Sequence, residues 1–123
     1  MGLAYRMMGA GVAFAEAQTD FIASINTGIS AAGTTQGTAT ALTACVNLVS
    51  TVGASSGVQL YNALVGDSMI VFNDAGANSL NVYPPTSGKI NNIATNGPVV
   101  LGINTSCLFM KITSTRWIAI LSA

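Results

Sequence analysis

From Thr38 onward the hydrophobic residues of this chain recur with a period of two, interrupted by clusters of Gly, Asn, Ser and Pro. That period belongs to β-strands, whose successive side chains point to opposite faces. Thr38 to Val52 sets Thr40, Leu42, Ala44, Val46 and Leu48 against Ala41, Thr43, Cys45, Asn47 and Val49, and reads as one long strand. Gly53 to Gly57 is a turn cluster, and Val58 to Leu64 a weaker strand. Met69 to Asn73 is apolar on both faces and is expected at the centre of a sheet. Asp74 to Asn78 is expected to be a hairpin connection, with Gly76 free to take positive φ. Ser79 to Tyr83 would be the returning strand, stopped by Pro84-Pro85 because proline cannot donate to a ladder. Short pieces follow around Lys89–Ile93 and Pro98–Leu101. A strong strand runs from Ser106 to Thr113 and returns, past Ser114-Thr115, over Arg116 to Leu121. About eight strands at spacings of roughly 8–12 residues predict an all-β fold, and an antiparallel, jelly-roll-like sandwich is the expected architecture.

The first 36 residues follow a different pattern, so the chain divides into an N-terminal segment, 1–36, and a β-sandwich domain, 37–123. Phe21, Ile22, Ile25 and Ile29 fall at helix-like spacing, so one short helix is expected over Glu16–Ile29. Residues 1–15 have no period, and their Gly-rich composition suits an extended arm. Arg6, Met7–Phe14 and Ala13-Phe14-Ala15 make only a weak signal-peptide pattern, and Arg6 stands where a myristoylation motif needs Ser or Thr. The segment is therefore expected to be retained and unmodified.

Composition narrows what such a fold can do. Among 123 residues, 50% are hydrophobic and only eight are charged, four basic and four acidic. An ordinary soluble domain is about a quarter charged. So little charge gives a free monomer little repulsion to keep it dispersed, and its surface must be covered by something else. A bilayer does not suit, because no run of roughly 18 apolar residues occurs and the few aromatics make no girdles. Identical subunits or a larger assembly remain, since interface cores are depleted of charge in the same way.

Catalytic chemistry has little to work with. With no His, neither a Ser–His–Asp triad nor a Cys–His pair can form. Two isolated cysteines, Cys45 and Cys107, do not make a zinc site, and both read as buried thiols. Glu16 and Asp20 suit a solvated helix face. Asp67 and Asp74 lie at opposite ends of a strand, roughly 20 Å apart at about 3.3 Å per residue. Four basic residues cannot supply a nucleic-acid footprint. Gly9-Ala10-Gly11 lacks the third glycine and the βαβ setting of a dinucleotide fingerprint. The expectation is no enzyme, no cofactor and no metal.

The stretch that begins Gly66-Asp67 and ends at Pro85, GDSMIVFNDAGANSLNVYPP, carries a resemblance. With Ile90-Asn91-Asn92-Ile93-Ala94 and the terminal Arg116-Trp117-Ile118-Ala119, it resembles a β-rich domain of tailed-phage virion proteins over roughly residues 30–123. Ile93 stands where that group commonly has Leu, and Ser87-Gly88-Lys89 replaces a more neutral turn. The resemblance implies a head decoration (cement) or head-fibre protein on the capsid surface of the virion, assembled in the host cytoplasm. Its expected partners are the major capsid protein and further copies of itself, with a trimer favoured. In that setting Leu3, Tyr5, Met7, Met8, Val12 and Phe14 of the arm would lie on neighbouring subunits. The alternative is a receptor- or glycan-binding module of a head or tail fibre, with Tyr61, Tyr83 and Trp117 as sugar-stacking rings.

Overall fold

The computed structural model describes residues 24–122, and the expected arm and the first part of the expected helix lie outside them. Ten strands are present: β1 (Ile25–Ser30), β2 (Thr40–Ala41), β3 (Val46–Thr51), β4 (Gly57–Gln59), β5 (Ser68–Asn73), β6 (Leu80–Tyr83), β7 (Lys89–Ile90), β8 (Val99–Leu101), β9 (Ser106–Lys111) and β10 (Arg116–Leu121). A single 3-10 turn at Gln36–Thr38 is the helical content of the described residues. The strands form two sheets, as an all-β two-layer fold requires: six in the order β1-β3-β5-β9-β10-β7, and four in the order β2-β4-β6-β8.

The pairing departs from the expected antiparallel sandwich. Five ladders are parallel, β1–β3, β3–β5, β2–β4, β4–β6 and β7–β10. Three are antiparallel, β5–β9, β9–β10 and β6–β8. Up to β8 the chain alternates between the sheets, laying one strand on each in turn. Parallel neighbours need a long crossover, and here the crossover runs through the opposite sheet. The result is a short solenoid-like coil. Its best-defined turn is 24 residues long, since Val46 pairs with Ile70 and Gly57 with Asn81 (46 to 70, 57 to 81). The last strands reverse direction and close the structure, and β9–β10 is a true hairpin.

Buried polar side chains steer this path. The run expected as one strand, Thr38–Val52, is two strands on different sheets, with a corner between them. Leu42 and Ala44 are both buried there. The fully buried Asn47 donates from Nδ2 to Ala44 O at 2.8 Å and to Ile70 O at 3.2 Å, which ties the corner to the neighbouring coil. Asp74–Asn78 is likewise no hairpin, because β5 and β6 belong to different sheets. Asn73, also fully buried, accepts from Ala75 N at 3.2 Å and donates to Asn78 O and Leu101 O, each at 3.2 Å. This Asx turn folds the chain away from its own strand. Asn78 then takes φ 69, which Asn tolerates well.

The expected helix is replaced in its second half by β1. Only Ile29 of β1 is buried. The strand is fixed by parallel pairing with β3, with help from Ser24 Oγ, which accepts from Cys45 N at 2.9 Å. The β-domain therefore begins before residue 37. Between the sheets lie Trp117, Phe109, Met69, Leu60, Leu80, Ile90 and Leu101, all less than 3% exposed.

Candidate functional site

The feature that sets this molecule apart is the outer face of its larger sheet. Met69, Val71, Cys107 and Phe109 point inward and are buried, so their alternates on the same strands point outward. Strand register aligns those alternates in an unbroken row, Ile25–Val46–Ile70–Leu108–Ile120, across five strands. Ile25, Ile70 and Ile120 are 66%, 39% and 60% exposed; Val46 and Leu108 are half-buried. Leu48–Phe72–Ser106 flanks the row on one side and Ser68–Met110–Ile118 on the other. None of these outward side chains is charged. Two charges do stand on this face, Lys89 and Arg116, as paired neighbours at one corner, where Arg116 donates to Asn92 Oδ1 at 2.9 Å.

The smaller sheet is arranged differently. Its outward positions include Gly57, Gln59 and Asn81, and part of it is roofed by the Thr34–Thr38 segment. Gln36 Nε2 donates to Pro84 O at 2.7 Å, and Tyr83 donates its hydroxyl to Thr34 O at 3.2 Å. A sheet packed on one side and solvated on the other normally has one polar face. The outward positions of the smaller sheet are mixed, with Ala41, Tyr83 and the exposed Val100 beside Gln59 and Asn81, whereas those of the larger sheet are mostly apolar.

At one end of the two layers is a cleft of about 440 Å³, lined by Tyr61, Asn62, Gln59, Thr86, Thr115, Lys111 and the edge of Trp117, among others. Lys111 is only 6% exposed. Its Nζ donates to Asn62 Oδ1 at 3.0 Å and to Ala63 O at 2.7 Å. Asp67 is its cross-strand neighbour. The Asp67 backbone carbonyl accepts from Lys111 N at 3.0 Å, while its carboxylate accepts from Leu64 N at 3.0 Å. Burial raises the Tyr61 phenol pKa, helped by Cys45 and Asp67 nearby. Lys111 and Asp67 thus hold the Leu60–Asp67 loop, while Gln59 Nε2 donates to Pro84 O at 3.4 Å.

Of the three rings expected to stack on sugars, Tyr61 alone lines the cleft with part of its surface free. Tyr83 is 6% exposed and pinned by its hydroxyl, and Trp117 is 1% exposed beneath the sheets. Neither offers a ring face to a saccharide. The arm residues Leu3, Tyr5, Met7, Met8, Val12 and Phe14 lie outside the described residues. Cys45 and Cys107 are free thiols, and burial pushes the Cys107 pKa up to about 11 against an opposing hydrogen bond with the Ile120 backbone. Among the described residues, no group of three His, Cys, Asp or Glu side chains could hold a metal ion, and no helix is long and apolar enough to cross a membrane.

The apolar outer face went unnoticed in the sequence, although its signal is there: β5, β9 and β10 are apolar at both alternating sets of positions. For β5 that pattern predicts a strand at the centre of a sheet, which it is, but it does not say what covers either face. No protein-family model, curated protein or solved structure is significantly similar to this chain.

Proposed function

We propose that this chain is a structural subunit of a virus particle, a capsid decoration (cement) protein that binds the major capsid lattice of a tailed phage and stabilises the head. The observation that carries the reading is the apolar outer face of the larger sheet, whose two charges, Lys89 and Arg116, are confined to one corner. Exposed apolar patches beyond a few hundred Å² mark surfaces that work in contact with other proteins. The resemblance of Gly66–Pro85 to virion proteins supplies the kind of assembly, and those residues form β5, the crossover and β6. In this reading the expected jelly-roll-like module is built as a short two-sheet coil. Cementing needs no catalytic group; it adds contact area across capsomer boundaries, each newly buried aliphatic side chain contributing roughly 1.5–3 kcal/mol before ordering costs.

The test is co-sedimentation of the purified full chain with expanded, undecorated capsids of the phage that encodes it. Saturable binding at a fixed ratio to the capsid protein, with a higher capsid disruption temperature, is the expected result. A chain that stays in the supernatant at micromolar concentration rules the reading out.

A further inference from the structure

We propose that the cleft at the end of the two layers binds an acidic saccharide, with the Lys111 ammonium taking its carboxylate and the Tyr61 ring lying against the sugar. None of the residues that line the cleft belongs to the outer face of the larger sheet. The site is therefore separate from the surface assigned above to the capsid, and it stands or falls independently of that reading.

A buried cation without a counter-charge carries the inference. Lys111 lines the cleft and is 6% exposed. An ammonium has three N–H donors. Two of them go to neutral acceptors, Asn62 Oδ1 at 3.0 Å and Ala63 O at 2.7 Å. Among the described residues no carboxylate forms an ion pair with it; the carboxylate of Asp67, its cross-strand neighbour, accepts from Leu64 N at 3.0 Å instead. Taking a charge out of water with no opposite charge beside it is costly. A ligand carboxylate supplies both the missing charge and an acceptor for the third N–H. One ammonium suits one such singly charged group, whereas a phosphate is better met by several donors or an Arg fork.

The rest of the lining suits a sugar. The cleft's volume of about 440 Å³ lies within the roughly 300–1,000 Å³ of small-ligand sites. Tyr61 is half-buried and keeps part of its ring free, an apolar body with a polar tip. The hydroxyl residues Thr86, Ser114 and Thr115 stand around it. The turn between β9 and β10 is capped by Thr113, whose Oγ1 accepts from Thr115 N at 3.4 Å and Arg116 N at 3.0 Å. Ser114 and Thr115 are thus not needed to close it. Gly88 lets the Thr86 turn approach this one, since a Cβ there would stand 2.9 Å from Pro85 O and 3.2 Å from Thr115 O. Asn62 gives its Oδ1 to Lys111, which leaves its amide N–H groups for a ligand. Several neutral hydrogen-bonding groups, one ring and one cation are the complement of a polyol that carries a single acid group.

The experiment is an NMR titration of the nitrogen-labelled full chain at constant ionic strength. The acidic probes are glucuronate, galacturonate and N-acetylneuraminate, the neutral ones glucose and galactose, and acetate reports a carboxylate without a sugar. At least one acidic sugar is expected to shift the backbone amides of Tyr61, Asn62 and Thr115 saturably with a Kd of about 1–10 mM, and the neutral sugars and acetate to bind at least about 10-fold more weakly. Lys111→Met is expected to reduce the acidic sugar to the level of the neutral ones. Tyr61→Ala is expected to weaken acidic and neutral sugars alike by at least about 5-fold while leaving acetate unchanged. If Lys111→Met does not fold, Tyr61→Ala and the neutral-sugar and acetate titrations decide. The absence of saturable shifts with all three acidic sugars overturns the proposal. So does neutral sugar or acetate binding as tightly as the acidic sugar, or a folded Lys111→Met or Tyr61→Ala that binds it as the wild type does.

Discussion

Replacing Lys111 with Met tests whether this lysine is a structural tie of the fold rather than a surface charge. Its side chain is 6% exposed, and its ammonium reaches Ala63 O at 2.7 Å and Asn62 Oδ1 at 3.0 Å. Met has nearly the same length and volume, so the substitution leaves no cavity and isolates the polar contribution. Asn62 is exposed and can turn to water. The Ala63 carbonyl, on a buried residue, loses its partner, and an orphaned buried acceptor costs about 1–3 kcal/mol. Relief from burying an ammonium works in the opposite direction and holds the net loss within that range. A solvated lysine would change stability by less than about 0.5 kcal/mol. Trp117, the one tryptophan, pairs directly with Lys111 across β9 and β10 and is buried, so its fluorescence reports unfolding at the site itself. Urea unfolding at one fixed protein concentration should show a lower midpoint with an unchanged slope. Overlapping curves for Lys111→Met and the wild type would refute the argument that this ammonium holds the Leu60–Asp67 loop.

Four further outcomes can be checked. Gly57→Ala places a Cβ 2.7 Å from the Tyr83 ring and 2.8 Å from Asn81 O; the carbonyl is fixed in the β4–β6 ladder, so a loss of about 1–3 kcal/mol in urea unfolding is expected. Asn73→Asp turns a donor toward Leu101 O and Asn78 O into a carboxylate, so it should destabilise strongly at neutral pH and recover partly below about pH 4, where the protonated acid can donate again. Cys107 titrates near 11 in the fold against about 8.5 when unfolded, so its neutral thiol contributes fully below about pH 8. That contribution is lost as pH rises through about 11, and Cys107→Ala should flatten this alkaline decline. In a thiol-labelling time course the half-buried Cys45 should react well before Cys107.

Strand positions were largely legible in the sequence. The alternation over Ser106–Thr113 and Arg116–Leu121 marks β9 and β10 to within two residues, and Pro84 ends β6 where a proline should. Alternation shows that a segment is extended but not which sheet receives it. Asn47 and Asn73 read as ordinary polar residues in strands, and only their buried bonds to Ala44, Ile70, Asn78 and Leu101 reveal the corners where the chain changes sheets. β1 was hidden for a related reason. The spacing of Phe21, Ile22, Ile25 and Ile29 fits a helical stripe, and it is the β3 ladder that holds the second half extended.

The sequence by itself determined that the chain is β-rich, that it has no His for a triad or a Cys–His pair, and that only eight of its 123 residues are charged. Those follow from residue identity and local period, which are properties of the chain alone. Among the described residues, the tertiary structure decided which apolar surface is left exposed. It sorted the two apolar faces of β5, β9 and β10 into one packed against the smaller sheet and one left outside, and it placed Lys111 inside. A strand apolar on both sides reads the same whether its second partner is another sheet of the same chain or another molecule, because side-chain period records direction and carries no record of what stands opposite.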